Sequence, residues 1–231
     1  MRPIHTSTIH AAIILSITGI SAANAEIAYS QTLVDLDSTD FGWYSNSEPR
    51  ATRNFKHADN FQLSATTQIN QVNWWGMTEG VASTTLENFD TFQIEFYTSR
   101  TTNNNRIKPD TLIASESFHI SQTNTTDTGH RTTTGAIKYS HQITLDSAVS
   151  FQANTTYWIA ISARSIDGSA DAWQWLDSDL LDGASSSWTY ATNRWLALQD
   201  TDSAFQLVSV PAPASSIAFI LGLAATTRRR R

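Results

Sequence analysis

Apolar and polar residues alternate along several short segments of this chain. The segment FQIEFY alternates Phe92, Ile94 and Phe96 with the more polar residues between and after them. The segments IKYSHQITL, TYWIAIS and SAFQLVSV show the same two-residue period. Successive side chains of a β-strand point to opposite faces, so these segments are predicted to be strands with one buried face.

The segments between these runs are dense in Asn, Asp, Ser, Thr and Gly, which is typical of turns. Examples are SRTTNNNRIKPD, SQTNTTDTGHRTTTG and DSDLLDGASSS. No convincing helical period of apolar residues occurs between Glu26 and Ser209. The pattern therefore predicts an all-β fold, an antiparallel, jelly-roll-like β-sandwich of roughly eight to ten strands whose two sheets share one core.

The N-terminus has the three parts of a secretory signal peptide. Arg2 lies in a short leader, an apolar run follows, and the small-residue motif from Ala23 to Ala25 ends the segment. Signal peptidase cleaves after such a motif, so we predict a signal helix over residues 1–25 and a mature chain that begins at Glu26. An ordinary buried helix is the alternative, but it would have a polar face that this segment lacks.

The C-terminus, VPAPASSIAFILGLAATTRRRR, also has three parts. Val210 precedes the motif Pro211, Ala212 and Pro213, an apolar run follows, and Arg228, Arg229, Arg230 and Arg231 end the chain. The apolar run is about half of the roughly 20 residues that a spanning helix needs. It is therefore predicted to be a short sorting helix that holds the chain at the membrane temporarily. A frayed terminal helix with a basic end is the alternative.

This order of motif, short helix and arginine cluster resembles the PEP-CTERM sorting signal of Gram-negative bacteria. Ala212 stands where that family usually has glutamate. The resemblance implies transient association with the inner membrane, cleavage at the motif by an exosortase-type transpeptidase, and delivery to the cell envelope or the extracellular matrix. Three regions are thus predicted: a signal peptide at 1–25, a β-sandwich domain at 26–209 and a sorting signal at 210–231.

Removing both signals changes the charge of the chain. Of the 15 Lys and Arg, one lies in the leader and four in the tail, which leaves 10 against 21 Asp and Glu, a net charge of −11 instead of −6. Such a field disfavours nucleic acid but is compatible with a neutral sugar polymer or a divalent cation. The chain has no cysteine, which excludes disulfides, thiol nucleophiles and thiolate metal sites.

A series of short segments appears in order from Asp59 to Leu207: ADNF, NWWG, FQIEFY, TLIA, TYWIAIS, AWQWL and SAFQL. This order resembles a secreted β-sandwich module of sortase- and PEP-CTERM-tailed bacterial proteins, with Asn60 in place of the module's second Asp. The resemblance implies the fold. It implies no catalytic site.

An aromatic cluster is the first candidate site. Trp173, Trp175, Trp188, Tyr190 and Trp195 fall within 23 residues. Exposed indoles stack on the C–H faces of sugars, so the cluster is a candidate glycan-binding site. The alternative is that these rings form the core of the sandwich, since tryptophan is on average highly buried.

An acidic loop is the second candidate site. Asp177, Asp179 and Asp182 precede Gly183 and supply three carboxylates of the kind that calcium prefers. The spacing departs from that of an EF-hand loop, and a solvated acidic turn is the alternative. No other cofactor is predicted, and no catalytic motif occurs.

The expected function is that of an exported, non-enzymatic protein with a structural or adhesive role in the cell surface or biofilm matrix. Its predicted partners are signal peptidase, an exosortase-type enzyme and exopolysaccharide. Two alternatives from other classes stay open: a carbohydrate-binding module that uses the tryptophan cluster, and an uncharacterised hydrolase.

Overall fold

Strands make up most of the chain that the computed structural model describes, which comprises residues 25–31, 33, 36, 41–47, 55–78, 86–166, 172–178, 184–198 and 201–209. In these residues the only helices are two 3₁₀ turns, Leu86–Asn88 and Ile120–Gln122. None of them is long and apolar enough to cross a membrane. The thirteen strands are β1 (Glu26–Gln31), β2 (Gly42–Tyr44), β3 (Phe55–Gln62), β4 (Thr67–Thr78), β5 (Phe89–Thr101), β6 (Ile107–His119), β7 (Asn124–Arg131), β8 (Ile137–Phe151), β9 (Thr156–Ser165), β10 (Trp173–Leu176), β11 (Ser185–Thr189), β12 (Arg194–Ala197) and β13 (Phe205–Ser209).

The described strands outnumber the eight to ten that the sequence predicts. Strands β2, β10 and β12 have three or four residues each, too few to display an alternating pattern. Strand β7 lies inside the segment SQTNTTDTGHRTTTG, which was predicted to be a turn. Among the described strands it pairs with β8 alone, at one edge of its sheet, and it has no buried residue. Because neither of its faces is buried, its sequence lacks the alternation of apolar and polar residues that marks a strand.

The first sheet has seven strands arranged around β4. Strand β8 pairs along one side of β4, and β7 follows β8. On the other side, β13 pairs along Ile69–Trp74 and β10 along Gly76–Thr78. Strands β1 and β2 complete the sheet next to β13 and β10, and every pairing is antiparallel.

The second sheet has six strands in the order β12-β11-β3-β9-β5-β6, again all antiparallel. Its two edge strands, β6 and β12, contact each other. Lys108 on β6 joins them by donating a hydrogen bond from Nζ to the carbonyl oxygen of Trp195 on β12, at 3.3 Å. The sheet is therefore curled, so that its two edges meet. The face on the inside of this curl is covered by the sheet itself.

The main core contains inward-facing residues of both sheets. Its largest members include Trp74 and Trp175 from the first sheet and Phe61 and Phe92 from the second, all without solvent exposure. The alternation of FQIEFY is confirmed on this side, because Phe92, Ile94 and Phe96 all belong to the core. For the described residues, the prediction of an all-β fold with two antiparallel sheets around a shared core is thus confirmed.

A second, smaller hydrophobic cluster involves the other face of the six-stranded sheet. It consists of Ala58, Tyr97, Trp158, Ala160 and Trp195. The sequence predicts one buried face for β5, and that prediction is wrong, since Tyr97 is buried as well. The curl of the sheet covers this face, and curling depends on contacts between strands far apart in sequence.

The first and last described strands lie side by side. Glu26 is the register partner of Ser209, whose hydroxyl donates a hydrogen bond to the carbonyl oxygen of Glu26 at 3.1 Å. Both strands belong to one compact unit of residues 25–211. Ala25 and Glu26 are described, whereas Ala23 and the tail from Val210 to Arg231 lie outside the described residues.

Candidate functional site

A pocket of about 440 Å³ lies where β6 approaches the hairpin formed by β11 and β12. It is on the same side of the six-stranded sheet as the second hydrophobic cluster, with which it shares Tyr97 and Trp195. The residues that line it are Lys56, Tyr97, Arg100, Pro109, Asp110, Leu112, Trp188, Tyr190, Asn193, Arg194 and Trp195. We call it the curl pocket.

The β11–β12 hairpin supplies the aromatic wall of the curl pocket. Trp188 and Trp195 are register partners, with ring centroids 5.4 Å apart and ring planes at 66°. The connecting residues include Tyr190, whose hydroxyl donates to the carbonyl oxygen of Asn46 at 3.3 Å. The loop closes at Asn193, which has φ 49°, a left-handed conformation that asparagine adopts more easily than most residues.

A buried ion pair forms the floor of the curl pocket. Lys56 on β3 is the register partner of Trp188, and its ammonium group is paired with the carboxylate of Glu95 on β5. The two side chains are only 11% and 7% exposed. Gln93 also donates from Nε2 to Glu95 Oε1, at 3.3 Å. The carboxylate is thus held in place by two donors, as a buried charge requires.

Tyr97 lies beside this ion pair. Its ring meets that of Trp195 edge to face, with centroids 5.4 Å apart. Burial, and then the negative charge of Glu95, raise the pKa of the Tyr97 phenol. The group therefore stays neutral and keeps its proton as a hydrogen-bond donor.

Two arginines, Arg100 and Arg194, line the curl pocket, and Lys108 lies beside it, next to Trp195. Arg100 and Asp110 form an exposed pair, with Nε and Oδ1 3.4 Å apart. Burial, and then the positive charges of Arg100 and Arg194, lower the pKa of Lys108, while Asp110 acts in the opposite direction. Arg100 and Arg194 are therefore both near Lys108, and the three cations form a local positive patch.

The curl pocket combines features that suit a polar, ring-shaped ligand. Its volume is within the range of about 300–1,000 Å³ that is usual for small-molecule sites. Aromatic faces can pack against the C–H groups of a sugar, and guanidinium groups can donate paired hydrogen bonds to its oxygens. The β11–β12 hairpin and the buried ion pair position these groups.

Three of the five residues in the predicted aromatic cluster line this pocket. Trp188 and Tyr190 are half-buried, and Trp195 is 6% exposed at the pocket's inner end. These three aromatic residues therefore have two roles, since one is a core residue and the other two form pocket surface. Trp195 belongs to the second hydrophobic cluster, while Trp188 and Tyr190 keep accessible surface.

Trp173 and Trp175 have a different location, and the prediction that they bind glycan is wrong. Both lie on β10, between β4 and β2, and both are fully buried in the main core. The ring of Trp173 packs 5.3 Å from that of Phe92, and Trp175 Nε1 donates to the carbonyl oxygen of Ala204 at 2.9 Å. A sugar cannot reach either ring. The alternative interpretation of these two residues, as part of the sandwich core, is confirmed.

The predicted calcium loop is described only at Asp177, since Asp179 and Asp182 lie outside the described residues. Asp177 follows β10 and forms an isolated bridge with Ser203. Burial, and then the negative charge of Asp202, raise the pKa of Asp177 to about 6. Within the described ranges, no group of three or more His, Asp and Glu side chains is placed to hold a metal ion.

Sequence reasoning missed the charged members of the curl pocket. Lys56 and Glu95 are 39 residues apart, and only the pairing of β3, β9 and β5 brings them together. Two weaker signals were present. Glu95 and Tyr97 occupy the less apolar face of FQIEFY, and Arg194 directly precedes Trp195 in the hairpin.

These observations define a class: an all-β protein with two antiparallel sheets, one of which curls around an aromatic and cationic pocket. The chain belongs to the family described as a domain of unknown function, DUF7901, which it matches over residues 27–217. Comparisons with curated proteins and with solved structures gave no match.

Proposed function

We propose that this protein is an exported, non-enzymatic adhesive or structural protein of the cell envelope or extracellular matrix, and that it holds the matrix by binding carbohydrate in the curl pocket. The single observation that carries the proposal is the aromatic wall of Trp188 and Tyr190 above the Lys56–Glu95 ion pair. Carbohydrate binding, which the sequence offers as an alternative function, is in this proposal the way in which the protein adheres to the matrix.

The proposal of export rests on the two terminal signals. We propose a signal helix that ends at Ala25 and a sorting helix before Arg228, with a jelly-roll-like sandwich between them. Signal peptidase, an exosortase-type enzyme and transient inner-membrane association are the proposed partners and route. The pairing of Glu26 with Ser209 supports this division, because both processing segments then join the fold at neighbouring strand ends.

Processing gives the first prediction. Protein recovered from the native host should lack Met1 to Ala25 and the terminal arginines, because both signals are removed during export. Intact-mass measurement of the extracellular product checks this. Finding Arg228 to Arg231 on that product would contradict the sorting proposal.

The aromatic wall gives the second prediction. In Trp188→Ala, retention by polysaccharide in affinity electrophoresis should weaken about fivefold, since one stacked ring contributes on the order of 1 kcal/mol. The gels contain dextran, hydroxyethylcellulose or polygalacturonate. A melting curve of the same preparation verifies that the domain is folded.

Trp75→Ala is the matched control for Trp188→Ala. Trp75 is also a half-buried tryptophan, but it lies on β4 in the other sheet. Its replacement should leave retention unchanged. The proposal fails if none of the three polysaccharides retains the wild-type protein, or if the two variants lose retention equally.

The hydrolase alternative receives no support from the curl pocket. Asp110, which lines the pocket, and Glu95, which lies behind Lys56, are each paired with a cation. A buried carboxylate that is neutralised in this way is held as part of the structure. We therefore propose binding without turnover.

A further inference from the structure

We infer that the curl pocket selects an acidic sugar, namely a polysaccharide whose residues carry carboxylates, such as a polyuronate. This inference rests on the proposed function and specifies its ligand class. It depends on the net charge at the pocket, which is positive, whereas the net charge of the predicted mature chain is negative.

The charge of the pocket can be counted from its ion pairs. Three cations line the pocket, Lys56, Arg100 and Arg194, and a fourth, Lys108, lies beside it with Nζ 3.3 Å from the carbonyl oxygen of Trp195. Two carboxylates balance them, Glu95 with Lys56 and Asp110 with Arg100. Four positive minus two negative charges leaves a local charge of +2, in a predicted mature chain of net −11.

The two cations that have no carboxylate partner among the described residues, Lys108 and Arg194, lie near each other, since Lys108 Nζ is 3.3 Å from the carbonyl oxygen of Trp195. Lys108 belongs to β6 and Arg194 to β12, the two edges that the curl brings together. Arg194 is exposed and, within the described part of the chain, forms no ion pair. A carboxylate between these groups would relieve their mutual repulsion, because it would receive charge-assisted hydrogen bonds from both.

Aromatic and cationic groups therefore fall within one ligand's reach. Trp188 and Arg194 both line the curl pocket, on the two strands of the hairpin. A sugar ring against Trp188 would bring a substituent carboxylate towards Arg194. A neutral sugar uses the aromatic face alone, whereas an acidic sugar uses both.

The salt concentration of the test is chosen because the rest of the chain is acidic and would repel an acidic polymer. At 0.1 M salt the screening length is about 10 Å, so distant carboxylates act weakly while contacts inside the pocket persist. At 1 M the length falls to about 3 Å, and ionic contacts at an exposed rim also weaken. Binding is therefore measured at 0.1 M, and its decrease at 1 M reports the ionic contribution.

A matched pair of polymers tests the inference with the full chain. Polygalacturonate is one probe, and the other is the same polymer after chemical reduction of its carboxylates, which leaves a neutral galactan with the same linkage. Wild-type protein should bind the acidic polymer at least about tenfold more tightly, in keeping with two charge-assisted contacts. Equal binding of both polymers would overturn the inference but leave carbohydrate binding intact.

A charge variant locates the contact. Arg194→Gln should reduce binding of polygalacturonate about fivefold and leave binding of the reduced polymer unchanged, because only the acidic polymer uses the guanidinium. The matched control is Arg131→Gln, which removes the same charge from an exposed pair with Asp127 on the other sheet. Equal effects of the two variants would show a non-specific charge effect and overturn the inference.

Failure of the inference and failure of the proposed function give different results. If neither galacturonate polymer binds, but dextran or hydroxyethylcellulose binds and Trp188→Ala weakens that binding about fivefold, the acidic specificity is wrong and the carbohydrate site stands. If no polysaccharide binds, both are wrong.

Discussion

Gly76→Ala is expected to lower the free energy of unfolding by about 3 kcal/mol, at the upper end of the usual cost of overpacking a core. A Cβ atom at Gly76 would lie 2.3 Å from Cζ2 of Trp173. The indole cannot move aside easily, because its ring is packed against Phe92 at 5.3 Å and His141 at 6.2 Å. For a domain of this size the melting temperature should fall by roughly 6–12 °C.

A second substitution separates this clash from a general effect of alanine at this position. In the Trp173→Phe background the smaller ring leaves room for the methyl group, so Gly76→Ala should then cost clearly less than in wild type. The full cycle of single and double variants is measured by denaturant unfolding. A Gly76→Ala protein that melts with the wild type, or a cost that is the same in both backgrounds, would contradict the close packing of Trp173 on Gly76.

Acidification is expected to destabilise the domain through two buried histidines. His57 and His141 are almost fully buried, and burial lowers the pKa of each to about 3. His57 stacks on Trp43 at 5.3 Å, and neither of its ring nitrogens has a hydrogen-bond partner among the described residues. His141 stacks on Trp74 at 5.1 Å, and its Nδ1 lies 2.9 Å from the hydroxyl oxygen of Thr125.

The lowered pKa values fix the direction of the pH effect. Below pH 6.5 the unfolded chain binds protons at these histidines and the folded chain does not, so the stability present above pH 6.5 is lost as the pH falls towards 3. Each histidine contributes about 1.4 kcal/mol per pH unit in this window. Asp177 acts in the opposite direction between pH 6 and 3.8, because its pKa is raised to about 6.

Slopes of stability against pH are the measurement for this effect. His57→Phe and His141→Gln should each reduce the loss of stability between pH 6.5 and 4 by about 1.4 kcal/mol per pH unit. His130→Gln, at a half-buried position of β7, is the control for removing a histidine as such. Identical slopes in all four proteins would mean that His57 and His141 are not held neutral in the fold.

The sequence was sufficient for the fold class because the longest strands carry a clear period. Phe92, Ile94 and Phe96 alternate with more polar residues, and the sheet-facing pattern follows from that spacing alone. The sequence allows both burial and exposure of Trp173 and Trp175, and their strand is too short to distinguish the two. The structure decides it, because β10 lies between two other strands.

The curl pocket could not be predicted from the sequence. It depends on contact between β6 and β12, and the sequence contains no local signal for the approach of two edge strands. The same contact buries Tyr97 and Glu95 on a face that the alternation assigns to solvent. Long-range pairing also brings Lys56 to Glu95. Trp188, Tyr190 and Trp195 were predictable as candidates because they are close together in sequence.

Binding at the curl pocket can be observed directly in the indole N–H signals of the eight tryptophans in a ¹H–¹⁵N NMR spectrum. The full chain is titrated with short galacturonate oligomers and, separately, with their carboxyl-reduced forms. The signals of Trp188 and Trp195 should shift with at least one of these ligands, while those of Trp74, Trp173 and Trp175 stay in place. Shifts confined to other tryptophans, or no shift with either ligand, would contradict carbohydrate binding at the curl pocket.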